Sequence, residues 1–270
     1  MELLTDDIVM GESPRWHDGR LYVSDWGAGA IVAVSPDGKT EVAATVPAPV
    51  FCFDFLPDGR WLVVAGDRLL VGTPFGPLEP YAELGDAGSY GNDIVVDGRG
   101  NAYVGALGFD FGNGAEFAPG TVVLVRPSGE VVRVAGDVAF PNGLAVTADN
   151  GTLVLAESYG NRLTAWDIAA DGTLSGRRVW AALGTGVPDG ICIDATGAVW
   201  YADVPNRCCV RVADGGAVLD TVTLDRGAFA CMLGGTTLYV VANEWGGVDN
   251  TTGGQVRTVP APAAGAGWPS

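Results

Sequence analysis

A repeat constrains this chain more than any other feature. A turn glycine followed at once by a short apolar strand occurs at Gly19, Gly59, Gly100, Gly151, Gly197 and Gly235, at intervals of 40, 41, 51, 46 and 38 residues. Each unit reads as a strand, the glycine turn, a second strand rich in Leu, Tyr and Val, a short loop, and a third apolar strand. Leu21–Ser24, Trp61–Val64 and Val199–Ala202 are second strands. The third strands are Ile31–Val34, Leu69–Val71, Val122–Val125, Leu163–Trp166, Cys209–Val212 and Val256–Val259. With 41 glycines and 16 prolines and no long segment of 3.6-residue period, helices are not expected. Units of this length and strand order are blades of a β-propeller, stable only when stacked on their neighbours. Six of them use the whole chain and leave no linker. The expectation is an all-β, six-bladed β-propeller forming one domain over residues 1–260, with the Pro/Ala/Gly-rich stretch 261–270 as a flexible tail. The last unit shows no clear fourth strand. Met1–Val9 precedes the first unit and is expected to pair with the last blade, closing the ring and removing an exposed sheet edge.

Charge narrows the partners. Fifteen Lys+Arg stand against 32 Asp+Glu, a net charge of −17, and Lys39 is the only lysine. Nucleic acid and anionic membrane surfaces both need clustered basic residues, so neither is an expected partner. No apolar run approaches the roughly 18 residues of a membrane span, and the first residues, Met-Glu-Leu-Leu-Thr-Asp-Asp, do not read as a secretory signal. Five cysteines without a Cys-x-x-Cys pattern read as reduced thiols of a cytoplasmic protein, mostly core filler; the vicinal pair Cys208–Cys209 is a poor metal clip.

In a propeller, the starts of the inner strands converge on one mouth of the central channel. Seven to nine residues before four of the turn glycines stand Glu12, Asn92, Asn142 and Asp189, in units one, three, four and five. Two carboxylates and two amide oxygens make an all-oxygen set suited to a hard cation such as Ca²⁺, Mg²⁺ or Mn²⁺. Singly, Pro-Asn-Gly (141–143) and Pro-Asp-Gly (188–190) are ordinary turn tripeptides; their shared register argues for a site. The one histidine, His17, reads as a surface turn residue on the wrong side of its blade, which argues against Ser–His–Asp chemistry. Asp37, Asp58, Asp149, Asp171 and Asp194 read as turn formers.

Loops between second and third strands should line the same mouth. They bring Trp26, Phe109, Phe111, Tyr159 and Trp245, with Asp110, Glu116 and Glu244 among them. The longest, 108–120, accounts for the 51-residue interval and is placed to act as a lid. An aromatic rim favours a flat, weakly polar ligand, although packing between blades would explain each ring equally well.

Four strings carry a resemblance: Gly-Glu-Ser-Pro-Arg-Trp (11–16), Gly-Asn-Asp-Ile-Val-Val-Asp (91–97), Phe-Pro-Asn-Gly-Leu-Ala (140–145) and Val-Pro-Asp-Gly-Ile-Cys-Ile-Asp (187–194). In this order and spacing they resemble the gluconolactonase/regucalcin-like family, also called senescence-marker-protein-like, over nearly the whole chain. The resemblance implies a six-bladed propeller with one divalent cation in its channel, held by Glu12, Asn142 and Asp189. It places Asn92 beside both the metal and the substrate, followed by Asp93. Ca²⁺ is the first candidate, with Mg²⁺, Mn²⁺ and Zn²⁺ behind it. The implied chemistry is hydrolysis of a lactone or related ester. The cation polarises the carbonyl, and Asp189 serves as base as well as ligand, with Asp93 or Glu116 as possible assistants. Family members acting on sugar lactones carry an Arg two residues before the Asn of the Asn-Asp motif; here that residue is Tyr90. The expected substrate is therefore a small molecule less polar than a sugar lactone, met by Tyr90, Asn92, Asp93, Trp26, Phe109, Glu116, Tyr159 and Trp245. Two alternatives stay open: a lyase or isomerase of specialised metabolism on the same metal site, and a ligand-binding propeller with a structural metal. The oligomeric state is left open.

Overall fold

The computed structural model describes residues 1–85, 91–246 and 252–266. It is a six-bladed β-propeller of six four-stranded antiparallel sheets. The inner strands are Gly11–His17, Phe51–Phe55, Gly91–Val96, Pro141–Val146, Pro188–Ile193 and Gly227–Gly234. Each touches the next, and the last touches the first, so they form a closed ring around the channel. The ring is closed by Glu2–Ile8, which pairs antiparallel with Thr252–Pro260 as the outermost strand of the sixth blade.

Burial explains why this architecture is legible. Strands such as Ala30–Val34, Phe51–Phe55 and Ala102–Ala106 are buried at every position. Blades stack face to face, so both faces of these strands need apolar side chains and the sequence shows continuous runs rather than alternation. The fourth strands, such as Val218–Thr223, are largely exposed and carry a mixed, uninformative composition. The repeat glycines sit in the tight turns between first and second strands. Five of the six have positive φ, for instance +76° at Gly19 and +82° at Gly197; in the fourth blade Asn150 takes that conformation instead, at +57°. Interlocking aromatic and aliphatic clusters fill the spaces between blades, with Trp61, Trp200 and Tyr103 among the largest fully buried side chains.

Two expectations need correction. The tail does not leave the body at residue 261. Ala261 N–H donates to Thr236 O, Gly265 N–H to Gly235 O and Ala266 N–H to Ile193 O, while Ala195 N–H donates to Ala264 O. Residues 261–266 are thus tied to blades five and six; 267–270 lie outside the described residues. His17 ends an inner strand, half-buried, with its ring stacked on Phe55 at 4.0 Å. It does lie at the opposite end of its strand from Glu12. No helix among the described residues is long and apolar enough to cross a membrane.

Candidate active site at the channel mouth

Glu12, Asn92, Asn142 and Asp189 are each the second residue of their inner strand. All four are half-buried, whereas the strand residues that follow are mostly buried. In each of these strands the pairing register breaks beside that residue: between Glu12 and Arg15, Gly91 and Asp93, Pro141 and Leu144, and Pro188 and Ile191. A bulge leaves a residue out of the ladder and turns its side chain away from the sheet normal. Blade two has no such break, and its second residue, Cys52, is buried and offers no oxygen. Ser13, next to Glu12, has φ +44°, and Phe140, before Pro141, has φ +64°. These left-handed conformations at non-glycine residues are strained and persist only where the surroundings enforce them.

Pro-Asn-Gly and Pro-Asp-Gly are therefore not turns but bulged strand starts. Their glycines serve close approach between blades. A Cβ on Gly143 would lie 2.5 Å from Ile191 N and 2.6 Å from Asp189 O, and one on Gly190 would overlap the Ala230 side chain and lie 2.7 Å from its Cα. Gly190→Ala is expected to cost about 1–3 kcal/mol by overpacking. Chemical denaturation checks this, and a loss below about 0.5 kcal/mol, the range of an indifferent surface change, would show that the blades slide apart freely here.

Glu12, Ser13, Asn92, Asp93, Asn142, Gly190 and Trp26 are among the residues enclosing a space of about 10 Å³, roughly the room that one water-sized particle needs. Asn92 Nδ2 donates to Pro141 O at 3.0 Å, and Asn142 Nδ2 to Ser158 Oγ at 3.2 Å. With the nitrogens engaged, the two amide oxygens are the atoms left to face a ligand. Burial pushes the Glu12 carboxyl up to about 8, with the Asp93 charge adding and the Ser13 N–H opposing. Burial, then the charges of Glu12 and Asp93, push Asp189 well above the usual carboxylate range. The cation that acts on Glu12 is Arg15. Its guanidinium is already committed, 3.0 Å from Asp93 Oδ1 and 3.2 Å from Asp54 Oδ1. Two carboxylates crowded together, flanked by amide oxygens and short of positive charge, are a donor set that fits a hard divalent cation. Among the described residues, no three His, Cys, Asp or Glu side chains form a metal-binding group, so the amides are indispensable to this reading.

The other expected site residues divide. Asp93 touches the cavity wall but turns both oxygens inward: Oδ1 accepts from Arg15 and, at 3.3 Å, from Ser13 Oγ, and Oδ2 accepts from Leu144 N–H at 3.3 Å. Trp26 lines the cavity, its indole N–H donating to Phe51 O at 2.6 Å. Phe109 is buried within an aromatic cluster, Tyr159 is exposed at the edge of that cluster, and Trp245 packs on Phe229 at 5.7 Å. Glu116 is exposed on the long blade-three loop. Tyr90 lies outside the described residues. Sequence reasoning missed Arg15 and Ser158. Arg15 was visible as the lone charged residue midway along its inner strand, facing acids at the matching depth of the next two blades, Asp54 and Asp93. Ser158, which both orients Asn142 and donates to Pro188 O at 2.7 Å, left no sequence signal.

Comparison with known proteins identifies the family. Residues 10–243 match the model of the SMP-30/gluconolactonase/LRE-like region. A pentonolactonase of Haloferax volcanii is 28% identical over 215 residues, covering 76% of this chain and 71% of that protein. A 6-deoxy-6-sulfogluconolactonase of Pseudomonas putida is 27% identical over 248 residues, covering 87% and 84%. Among solved structures, a luciferin-regenerating enzyme superposes with a TM-score of 0.81 at 22% identity, covering 96% of this chain and 94% of that one, a likeness of fold. The match spans all four motif-bearing blades, and the chain belongs to the SMP-30/gluconolactonase/LRE-like family.

Proposed function

We propose that this chain is a lactone hydrolase working at the channel mouth, with one divalent cation held by Glu12, Asn142 and Asp189 and with Asn92 beside it. The observation that carries the reading is the convergence of four second-position residues, two of them carboxylates without a free counter-charge, from four different blades. The lactonase names of the pentonolactonase and sulfogluconolactonase relatives support the reaction class. When bound, a divalent cation supplies Lewis-acid polarisation of the lactone carbonyl. Asn92 orients the substrate through its free amide oxygen. Asp189, beside the cation, is the carboxylate placed to take the proton of the attacking water. Ca²⁺ is the first candidate ion because the donors are all oxygen and neutral amides sit beside the carboxylates.

Hydrolysis of a lactone and aryl-ester panel by EDTA-treated protein tests this, each substrate run without metal and with Ca²⁺, Mg²⁺, Mn²⁺ or Zn²⁺ restored. Turnover returning with one ion is the expected result. No turnover with any ion, despite a cation-dependent rise in Tm, would favour a non-hydrolytic reaction or a binding propeller.

The raised carboxyls also give a signed pH prediction. Glu12 is held near 8 instead of 4.5, so the cation-free folded protein keeps a proton that the unfolded chain gives up. The stability this confers is full below about 4.5 and is lost as pH rises through about 8; Asp189 shifts in the same direction. Discounted for partial exposure, the loss is about 2 kcal/mol, or roughly 5 °C in Tm. Cation binding must displace the same protons. The Tm gained on adding Ca²⁺ should therefore grow from pH 5.5 to 8.5, and calorimetry at pH 7 in two buffers of different ionisation enthalpy should register proton release. A Tm gain that stays flat with pH, without proton release, would put the cation elsewhere.

A further inference from the structure

We propose that a five-ring cluster, Phe109, Phe111, Phe117, Phe140 and Tyr159, forms the wall that receives the substituent of the lactone, and that this substituent is apolar, aryl or alkyl, rather than a polyol chain. The proposal rests on the lactonase reading of the same site and names its substrate class.

The cluster is continuous with the candidate metal set. Ser158 Oγ accepts from Asn142, Ser158 N–H donates to Phe140 O at 3.1 Å, and Tyr159 N–H donates to Ala139 O at 3.1 Å. The Phe140 and Tyr159 rings thus flank the strand start that carries Asn142, with centroids 4.6 Å apart. Phe109 sits at the centre, 5.6 Å from Phe117, 5.9 Å from Phe140 and 6.1 Å from Phe111. The rings come from the blade-three loop and the start and 3₁₀ turn of blade four. The connection between second and third strands and the entry to the inner strand lie at the same end of a blade, so all five stand at the mouth that carries Asn142.

Burial within the cluster is uneven. Phe109 is 7% and Phe140 8% exposed, whereas Phe117 is 49% and Tyr159 52% exposed, and those two touch at 5.6 Å. Phe117 and Tyr159 present two adjoining aromatic faces to solvent at the mouth that carries Asn142, and a contiguous exposed apolar patch there offers a binding surface.

The polar side chains nearby point the same way. Recognition of a polyol needs donors and acceptors free to meet hydroxyls. Arg162 and Arg177 both pair with the buried Glu157, at 2.8 and 3.2 Å. Asp110 holds Asn113 at 2.8 Å, and Asn161 Nδ2 donates to Gly186 O at 2.7 Å. These four groups, each suited to a sugar hydroxyl, are engaged with the protein, while Phe117 and Tyr159 leave aromatic surface exposed. Stacking and edge contacts on such faces select a flat or aliphatic group.

Steady-state kinetics with γ-phenyl-γ-butyrolactone, γ-butyrolactone and glucono-1,5-lactone tests the proposal, alongside calorimetric binding of the product acid 4-hydroxy-4-phenylbutanoate to the cation-loaded protein. The phenyl lactone is expected to have the highest kcat/KM. In Phe117→Ala and Tyr159→Ala, the ratio of its kcat/KM to that of γ-butyrolactone should fall about tenfold, mainly through KM, and the product acid should bind about tenfold more weakly. Both side chains are half-exposed, so two independent variants guard against one that misfolds. The binding measurement separates this inference from the lactonase reading: product-acid affinity that the two variants weaken upholds the wall even if no lactone is hydrolysed. Preference for gluconolactone, a selectivity ratio unmoved in both variants, or no measurable binding of the phenyl acid would overturn it.

Discussion

Asp189→Asn is expected to lower lactone turnover by three orders of magnitude or more while leaving the propeller folded. The change removes a candidate base, whose contribution is typically about 10²–10⁴ in rate. It also removes one of two carboxylates from the proposed cation site, so the apparent affinity for the ion should fall with it. The amide is nearly isosteric, and the backbone around it is fixed by the approach of Gly143 to Asp189 O and of Gly190 to Ala230. Stability supplies the control. In the cation-free protein the half-buried Asp189 lies beside the charges of Glu12 and Asp93. Neutralising it should therefore leave the cation-free variant at least as stable as the wild type at pH 8. The measurement is kcat at saturating cation together with Tm in EDTA. Full turnover in Asp189→Asn would remove Asp189 from the mechanism, and a lower Tm in EDTA would show that its charge supports the fold.

The legible and illegible parts of this molecule separate by where the physical signal lies. Blades showed in the sequence because fully buried strands such as Ala30–Val34 and Gly120–Val125 need uninterrupted apolar runs, and because the connecting turns force a left-handed residue at a fixed place in each unit. The outer strands are half-exposed and left no pattern, so closure by Glu2–Ile8 was inferred from the missing fourth strand of the last unit. The shared strand position of Glu12, Asn92, Asn142 and Asp189 was legible, though the bulges beside them were hidden. Asp93 could not be placed correctly, since its inward turn depends on Arg15 and Leu144 in other blades. The hold on residues 261–266 is made by backbone groups, to which Pro/Ala/Gly composition is blind. Phe117 escaped notice because a loop has no period, and only three-dimensional packing separates a half-exposed ring from a buried one such as Phe109.

Arg15 is where the largest loss of stability is expected. Its side chain is buried, and it joins three blades: Nε lies 3.2 Å from Asp54 Oδ1 in blade two and Nη2 3.0 Å from Asp93 Oδ1 in blade three. It also donates to the carbonyls of Pro14 and Ile94. The same residue lies beneath the candidate metal site and lines a second cavity of about 340 Å³ further down the channel. Arg15→Met keeps much of the volume but leaves two buried aspartates without their cation. Breaking a buried ion network from one side costs about 3–5 kcal/mol, chiefly because the stranded charge cannot reach water. Burial already holds Asp54 up to about 6 even with Arg15 opposing. Without the guanidinium its pKa rises further, so the folded variant favours a protonated Asp54 while the unfolded chain releases that proton above about 4. The loss should accordingly be larger at pH 8 than at pH 5. Arg15→Lys keeps the charge but not the fork that spans both acids, and should fall between wild type and Arg15→Met. Adding Asp54→Asn to Arg15→Met should restore part of the stability, because it removes one of the stranded charges. Urea denaturation of the four proteins at both pH values decides the matter. A loss in Arg15→Met below about 1 kcal/mol, equal at the two pH values, would mean that the network is replaceable by simple packing and that the Glu12 strand is positioned by its bulge alone.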